Sequence, residues 1–231
     1  MLIGGLQKTS LIDYPDKLAA IIFTAGCNFR CGFCYNPELV TQIDKKSFIP
    51  EKYILNFLEK RKKVLDGAVI TGGEPTMHKD LPEFICKIKK MGYFVKLDTN
   101  GTNPKMLEKL INNKLINYIA MDIKGPLGKY RGIAKAKVNT KNIKESIKLI
   151  MKSELNYEFR STILPALHKK QDLERMAKLI KGAEKYYLQK FRLEKKLNDL
   201  TFVKYKSYTD KEMKQLTEIC KEHVRECRVR A

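Results

Sequence analysis

The sequence has too few cysteines for a disulfide scaffold, fewer acidic than basic residues, and no long apolar run. Six cysteines in 231 residues are too sparse for a fold held together by disulfides. The longest uncharged apolar runs reach only about eight residues, whereas a bilayer-spanning helix needs about 20. Segment 1–14 lacks a basic region followed by a long apolar stretch. We therefore expect no signal peptide and a cytoplasmic protein.

The shortage of acidic residues leaves a formal net charge of +20, with 46 Lys and Arg against 26 Asp and Glu. Such an excess can indicate nucleic acid or another acidic partner. The lysines here are dispersed over helical segments and are not collected in one arm. A lysine-rich surface is also typical of proteins from hot environments. We therefore do not interpret the charge as a sign of nucleic-acid binding.

Strand and helix patterns alternate along the chain. Apolar and β-branched runs predict six strands, at 18–24, 68–71, 93–97, 116–123, 156–164 and 185–193. Apolar residues at helical spacing, with capping residues, predict helices at 50–63, 80–91, 103–112, 140–152, 172–183 and 208–225. Because no linker-like stretch interrupts the pattern, we expect one domain over 1–231, with an N-terminal extension 1–17, a six-strand core 18–193 and a C-terminal segment 194–231.

This alternation predicts an α/β fold with a parallel sheet, because consecutive strand–helix–strand units form right-handed crossovers. No G-x-G-x-x-G follows the first strand, which removes the main support for a dinucleotide-binding fold. In a barrel of such units the active site lies at the carboxyl ends of the strands. Glycine, polar and cysteine-rich stretches occur at that end of four successive strands, at 27–34, 72–75, 98–101 and 122–124.

Three cysteines, Cys27, Cys31 and Cys34, are spaced C-x₃-C-x₂-C directly after the apolar run 18–25. Their odd number and close spacing are unsuited to ordinary disulfide pairing. A shared metal centre is the simplest interpretation. Three thiolates leave one position open on a four-iron cluster or on a tetrahedral ion. An open position indicates a chemical role more than a structural one.

The cysteine motif, with Phe33 as the aromatic residue before the last cysteine, resembles the cluster motif of the radical S-adenosylmethionine (radical SAM) superfamily. The resemblance implies that Cys27, Cys31 and Cys34 hold a [4Fe-4S] cluster. It also implies that the amine and carboxylate of S-adenosylmethionine (SAM) chelate the fourth iron. The fold implied is an open, partial (β/α)₆ TIM-like barrel.

The stretch Thr71–Pro75 resembles the GGE motif of the same enzymes. Two glycines after a strand remove side chains where the backbone must approach a ligand. A plain turn between strand and helix is the alternative interpretation. The resemblance implies that Gly72, Gly73 and Glu74 receive the SAM amine.

Two further motifs match the activating enzymes of glycyl-radical enzymes, a radical SAM subgroup. Asp98, Thr99 and Asn100 resemble a D-T-N-G segment that lies beside the methionyl and ribose groups of SAM. Asp122 and Lys124 resemble a D-x-K segment whose lysine contacts the SAM carboxylate. The resemblance also implies a monovalent cation held near the two aspartates.

Residues 4–6, 13–15 and 36–40 look most like the activating proteins of anaerobic ribonucleoside-triphosphate reductase. Tyr35 departs from that pattern, because the residue after the third cysteine is often histidine in these activases. The resemblance implies reductive cleavage of SAM to a 5′-deoxyadenosyl radical and formation of a glycyl radical on the partner reductase. It also implies an electron donor such as flavodoxin or ferredoxin, and no membrane partner.

Two other functions remain open at this point. One is a radical SAM enzyme that acts on a small molecule or RNA, such as a 7-carboxy-7-deazaguanine synthase. The other is a non-enzymatic iron–sulfur electron-transfer module, which would not need the loops after the second to fourth strands.

Several residues near the end of the chain have no assigned role. Segment 160–165 resembles the strand that flanks adenine in the family, and Gln189 and Arg192 are both candidates for a further SAM contact. Cys220, His223 and Cys227 form a C-x₂-H-x₃-C pattern. One metal ion could bind both cysteines only if the predicted helix ended before Cys227.

Overall fold

The computed structural model describes residues 1–194 and 196–230. In these ranges eight strands form one sheet in sequence order: β1 Ile3–Ser10, β2 Ala19–Thr24, β3 Gly67–Gly72, β4 Phe94–Thr99, β5 Tyr118–Asp122, β6 Asn156–Ile163, β7 Lys185–Lys190 and β8 Glu226–Arg230. Lys195 and Ala231, which belong to the predicted C-terminal segment, lie outside the described residues.

Helices follow most of the strands. They are α1 Pro37–Val40, α2 Glu51–Arg61, α3 Leu81–Lys90, α4 Pro104–Asn112, α5 Tyr130–Ala134, α6 Thr140–Lys152, α7 Lys170–Leu179 and α8 Asp210–Lys221. The six predicted strands correspond to β2–β7 and the six predicted helices to α2–α4 and α6–α8. In the part of the chain that is described, no helix is long and apolar enough to cross a membrane.

The sheet is parallel from β2 to β8, and β1 joins it as an antiparallel edge strand beside β2. The alternation predicted the parallel α/β sheet, and the resemblance implied the partial TIM-like barrel that this sheet forms. The N-terminal extension contributes β1, which forms a hairpin with β2. Strand β8 was not predicted, and the last helix ends at Lys221 instead of 225. Residues 226–230 alternate polar and apolar, so the sequence does carry a short strand signal there.

Alternate residues of the strands face opposite sides of the sheet. Residues such as Ile22, Ile70 and Phe159 are fully buried in the main apolar core, which the helices also line. On the opposite face, Tyr14, Ile21, Val69 and Tyr118 form a smaller apolar cluster with Ala19. This second cluster fills only part of the sheet's inner face, and charged side chains occupy much of the remainder.

Glu158 is the most deeply buried of these inner charges, with no exposed surface. Its carboxylate accepts a bidentate pair of hydrogen bonds from Arg230 at 2.6 and 2.8 Å, and a third from the Tyr118 hydroxyl at 2.9 Å. The Arg230 guanidinium also lies 3.8 Å from the centre of the Tyr187 ring. Strand β8 is thereby joined to the buried interior through one arginine.

Replacement of Arg230 by methionine is expected to lower the free energy of unfolding by about 3 kcal/mol, because it leaves a buried carboxylate without its bidentate partner. Urea unfolding of the metal-free protein measures this loss. The matched control is Arg228→Met on the same strand, since the Arg228 side chain is 70% exposed and pairs only with Glu226. That control should stay within about 0.5 kcal/mol of the wild type. Equal losses in both variants would contradict the role of Glu158.

Candidate active site

One cavity of about 240 Å³ lies at the carboxyl end of the sheet. All eleven residues predicted for the site line it: Cys27, Cys31, Cys34, Gly72, Gly73, Glu74, Asp98, Thr99, Asn100, Asp122 and Lys124. They come from β2 to β5 and from the loops that follow these strands. Parallel strands place those ends at one edge, which is why residues distant in sequence meet there.

The cysteine loop begins directly after β2. The Arg30 N–H donates to the Ala134 carbonyl at 2.8 Å, and the Cys34 N–H donates to the Cys31 carbonyl at 3.2 Å. These bonds hold the loop against α5 and turn its second half back on itself. Cys31 is buried, Cys27 and Cys34 are half-buried, and all three are free thiols.

The three thiols suit a cluster better than a single ion. Burial raises the pKa of Cys27 to about 12 and that of Cys31 to about 11, although Lys124 lowers both, because a thiolate is poorly solvated there. A bound cationic metal would offset that cost. No three His, Cys or acidic side chains in the described ranges are arranged around one ion. Thiolates on different irons of a cluster can stand further apart, so the donor set fits a [4Fe-4S] cluster.

A later part of the chain braces the cysteine loop. The Asn198 N–H donates to the Cys34 carbonyl at 3.1 Å, and the Asp199 N–H donates to the Gly32 carbonyl at 3.0 Å. A Cβ on Gly32 would lie only 2.3 Å from the Phe202 ring, so glycine there lets the ring lie on the loop. This brace, residues 198–202, was not predicted, because no periodic apolar pattern marks it.

The GGE loop after β3 lies directly on the cysteine loop. The Gly73 N–H donates to the Thr24 carbonyl and the Glu74 N–H to the Gly26 carbonyl, both at 2.8 Å. Gly26 and Gly72 have φ angles of +95° and +111°, which favour glycine. A Cβ on Gly73 would lie 1.9 Å from the Gly26 carbonyl oxygen. The close approach of the two loops therefore requires these glycines.

Glu74 is buried and joins two loops. One carboxylate oxygen accepts from the Thr99 hydroxyl at 2.8 Å and from the Thr76 N–H at 3.1 Å, and the other accepts from the Asn100 N–H at 2.6 Å. Burial raises the pKa of Glu74, and these donors oppose the rise. Each oxygen of a carboxylate has more than one acceptor site. The predicted contact with the SAM amine therefore stays compatible with these bonds and remains a prediction.

Asn100 links the loop after β4 to the cysteine loop. Its side-chain amide donates to Asn28 Oδ1 at 2.8 Å, and the Asn28 amide donates to the Thr102 hydroxyl at 2.8 Å. The loops after β2, β3 and β4 are thus held together as one hydrogen-bonded unit around the cavity.

Lys124 follows β5 and faces the cavity beside the cysteines. Its Nζ lies 3.0 Å from Asp122 Oδ2. Burial alone would lower the pKa of Lys124, but the Asp122 and Cys31 charges outweigh it and the pKa lies above its ordinary value. The Lys124 N–H donates to the Tyr130 hydroxyl at 3.2 Å, and its carbonyl lies 2.9 Å from His168 Nε2. The backbone of this cationic residue is therefore fixed on both sides.

Replacement of Lys124 by alanine is expected to raise the dissociation constant for SAM by about tenfold, as loss of one charge-assisted contact would. The cluster absorption should not change, because Lys124 is not a thiolate. Isothermal titration of the reconstituted protein with SAM measures the first quantity, and visible absorption measures the second. Lys137→Ala is the control, since Lys137 is exposed and does not line the cavity. Unchanged SAM affinity in Lys124→Ala would contradict the assignment.

The two candidate SAM contacts from the sixth predicted strand, Gln189 and Arg192, differ in their positions relative to the cavity. Gln189 lines the cavity, whereas Arg192 lines a neighbouring opening of about 790 Å³. Tyr35 lines both spaces; its hydroxyl accepts from the Arg192 N–H at 2.8 Å and its ring stacks on Phe191. Tyr35 therefore forms a wall between the cavity and the opening.

The C-x₂-H-x₃-C pattern near the end of the chain forms no metal site among the described residues. Helix α8 ends at Lys221, so Cys220 and Cys227 lie on α8 and β8 and both are buried. The neighbouring Cys227 thiol, together with burial, raises the pKa of Cys220. We interpret the two cysteines as part of the core.

The sequence of the chain matches the family model described as the radical SAM superfamily over residues 21–181. The chain belongs to the radical SAM superfamily. It is 35% identical over 229 residues to a Methanocaldococcus jannaschii protein provisionally named a glycyl-radical enzyme activating enzyme. The aligned region covers 96% of this chain and 93% of that protein. This chain is 40% identical over 79 residues to the 7-carboxy-7-deazaguanine synthase of Aquifex aeolicus, a third of each chain.

The pyruvate formate-lyase-activating enzyme of Clostridium pasteurianum is 27% identical over 129 residues, which cover 53% of this chain and 52% of that enzyme. Among solved structures, Streptococcus suis SuiB bound to S-adenosylmethionine superposes with a TM-score of 0.67 at 15% identity, over 91% of this chain and 52% of SuiB. That likeness shows the fold alone.

As a radical SAM enzyme, the protein uses a [4Fe-4S] cluster and SAM as cofactors. It groups with the activating enzymes of glycyl-radical enzymes, as its motifs predicted. The individual roles of Gly72, Asp98 and the other lining residues toward SAM remain predictions.

Proposed function

We propose that this radical SAM enzyme generates a glycyl radical on a partner protein, by transfer of a hydrogen atom from a glycine α-carbon of the partner to the 5′-deoxyadenosyl group of SAM. We further propose that the partner is an anaerobic ribonucleoside-triphosphate reductase. The first proposal rests on the similarity, over almost the entire length of both chains, to a protein provisionally named a glycyl-radical enzyme activating enzyme. The choice of partner rests on the resemblance of residues 4–6, 13–15 and 36–40.

Cys27, Cys31 and Cys34 would hold the cluster, which, once reduced by a flavodoxin or ferredoxin, would supply the electron for reductive cleavage of SAM. The chain's own part is to bind and orient SAM. Gly72 and Gly73 line the cavity where the methionyl amine would bind, and Lys124, which lies beside the cysteines, provides a cation for the carboxylate.

The opening beside the cavity supports a protein loop as the substrate. Tyr35, Thr162 and Gln189 line both spaces, so a chain that enters the opening reaches the cavity wall. Lys190, Arg192 and Lys196 also line this opening. A space of about 790 Å³ with basic walls suits an extended polar segment.

The test is anaerobic reconstitution, reduction with dithionite, and assay of 5′-deoxyadenosine with and without the candidate reductase. Electron paramagnetic resonance should show one glycyl radical formed per 5′-deoxyadenosine released. A reductase in which the radical-bearing glycine is replaced by alanine is the control and should give no such signal.

Two other outcomes would overturn the proposal. Turnover of a small molecule or RNA without any partner would favour the alternative that the local similarity to 7-carboxy-7-deazaguanine synthase supports. A bound cluster that yields no 5′-deoxyadenosine under any condition would favour an electron-transfer module.

A further inference from the structure

We propose that Arg160 supplies the positive charge between Asp98 and Asp122, so that this chain binds SAM without a monovalent cation. The resemblance to activating enzymes implied a bound cation near these aspartates. The proposal rests on the arrangement of this chain's own side chains, and it does not depend on which partner the enzyme activates.

The Arg160 guanidinium bridges the two aspartates. Its Nη1 lies 3.0 Å from Asp98 Oδ2, and its Nε lies 3.0 Å from Asp122 Oδ1. Only 13% of the Arg160 side chain is exposed, so water screens these contacts weakly. The arginine therefore lies where an ion bridging the same two carboxylates would lie.

Each of the four oxygens of these aspartates has a cationic partner. Lys96 Nζ lies 2.6 Å from Asp98 Oδ1, and Lys124 Nζ lies 3.0 Å from Asp122 Oδ2; Arg160 holds the remaining oxygen of each. Three cations thus surround two carboxylates. A further cation placed among them would be repelled at close range and would find no carboxylate oxygen without a charged partner.

The fold explains how one arginine reaches both aspartates. Strands β4, β5 and β6 are neighbours, and Arg160 on β6 pairs directly with Asp122 on β5. Asp98 on β4 pairs with Ala120, a residue whose side chain is small enough to leave room between β4 and β6. A guanidinium is planar, permanently charged and presents several donors, so it can bind two carboxylates at once.

Asp98 and Asp122 stay ionised, as their pairing with Arg160 requires. Burial would raise the pKa of Asp122, but Arg160 and Lys124 outweigh it and the pKa falls to about 2. The pKa of Asp98 is also held below its ordinary value, by Arg160 and Lys96 against burial. An ammonium group has three donors, so Lys124 can bind the carboxylate of SAM while it stays paired with Asp122.

The first test compares the thermal midpoint of the metal-free protein in KCl, NaCl and tetramethylammonium chloride, each at about 0.1 M, where general screening is equal. We expect the wild type to unfold at the same temperature in all three salts, and Arg160→Met to unfold several degrees higher in K⁺ or Na⁺ than in tetramethylammonium. Arg131→Met, which removes an exposed arginine outside the cavity, is the control and should behave as the wild type.

The second test uses the reconstituted protein. The dissociation constant of wild-type SAM binding should change less than about twofold among the three salts, whereas Arg160→Met should bind about tenfold more weakly in tetramethylammonium and recover in K⁺. A purely structural role for Arg160 would give a loss that no cation restores, and that outcome overturns the proposal.

The third test needs no variant, in case Arg160→Met fails to fold. Titration of the wild type with thallous ion, followed by nuclear magnetic resonance, should show no saturable site. A saturable site that K⁺ displaces, or a K⁺ requirement of wild-type SAM binding, would overturn the proposal. None of these measurements involves a glycyl radical, so failure of the proposed function would be seen separately.

Discussion

Replacement of Cys31 by alanine is expected to abolish the cluster and the formation of 5′-deoxyadenosine together. Cys31 is the most buried of the three thiols that line the cavity, and its carbonyl accepts the hydrogen bond that turns the loop back at Cys34. With two thiolates left, the site lacks the ligand number that a four-iron cluster needs. Iron content, visible absorption and product should all fall to background after reconstitution.

The control for this result is Cys86→Ala. Cys86 is a half-buried free thiol on α3 that does not line the cavity. It should keep the iron content and the yield of 5′-deoxyadenosine of the wild type. Should Cys31→Ala still cleave SAM, the three-thiolate assignment would be wrong. Should Cys86→Ala lose iron as well, the loss in Cys31→Ala would reflect thiol number or folding instead of the site.

Replacement of Gly73 by alanine is expected to lower the affinity for SAM by about a hundredfold, or about 2.7 kcal/mol, which is the order of two or three lost hydrogen bonds. The added Cβ would lie 1.9 Å from the Gly26 carbonyl oxygen, which is backbone and has no rotamer to change. The two loops must separate, and the hydrogen bond from the Glu74 N–H to Gly26 breaks. The buried Glu74 carboxylate then loses its alignment with Thr99 and Asn100.

Calorimetric titration with SAM measures the loss, and thermal unfolding of the metal-free protein should show a lower midpoint as well. Gly128→Ala is the matched control, because no atom lies within 4 Å of a Cβ at that position. It should leave both quantities unchanged. Normal SAM binding by Gly73→Ala would mean that the loops after β2 and β3 are not held in register by this contact.

The sequence predicted best those central strands that are continuous buried runs, which helical periodicity does not fit. Residues 19–24 of β2 and 67–72 of β3 are examples. Strand β8 was missed although its five residues alternate polar and apolar. It lies at the edge of the sheet beside β7, and Arg230 binds Glu158 from β6, a contact that the residues of β8 alone do not reveal.

The candidate site likewise contains some residues that a local motif predicts and others that it does not. Gly72 and Gly73 belong to a short motif within one loop, and a local pattern is enough to predict where they lie. Arg160 was predicted only as part of segment 160–165, inside the strand 156–164, with no role of its own. Its position between Asp98 and Asp122 depends on three strands lying side by side in a particular register, and no single stretch of sequence contains that information.

The brace of the cysteine loop has a consequence for how the protein is made. Asn198 and Asp199 bind a loop whose cysteines lie more than 160 positions earlier, as the bond from the Asn198 amide to the Cys31 carbonyl shows. A nascent chain still on the ribosome has the thiols long before it has the segment that fixes them. It follows that iron delivered to a nascent chain would meet a loop without this brace, and that the enclosure forms only after residues 198–202 have been made.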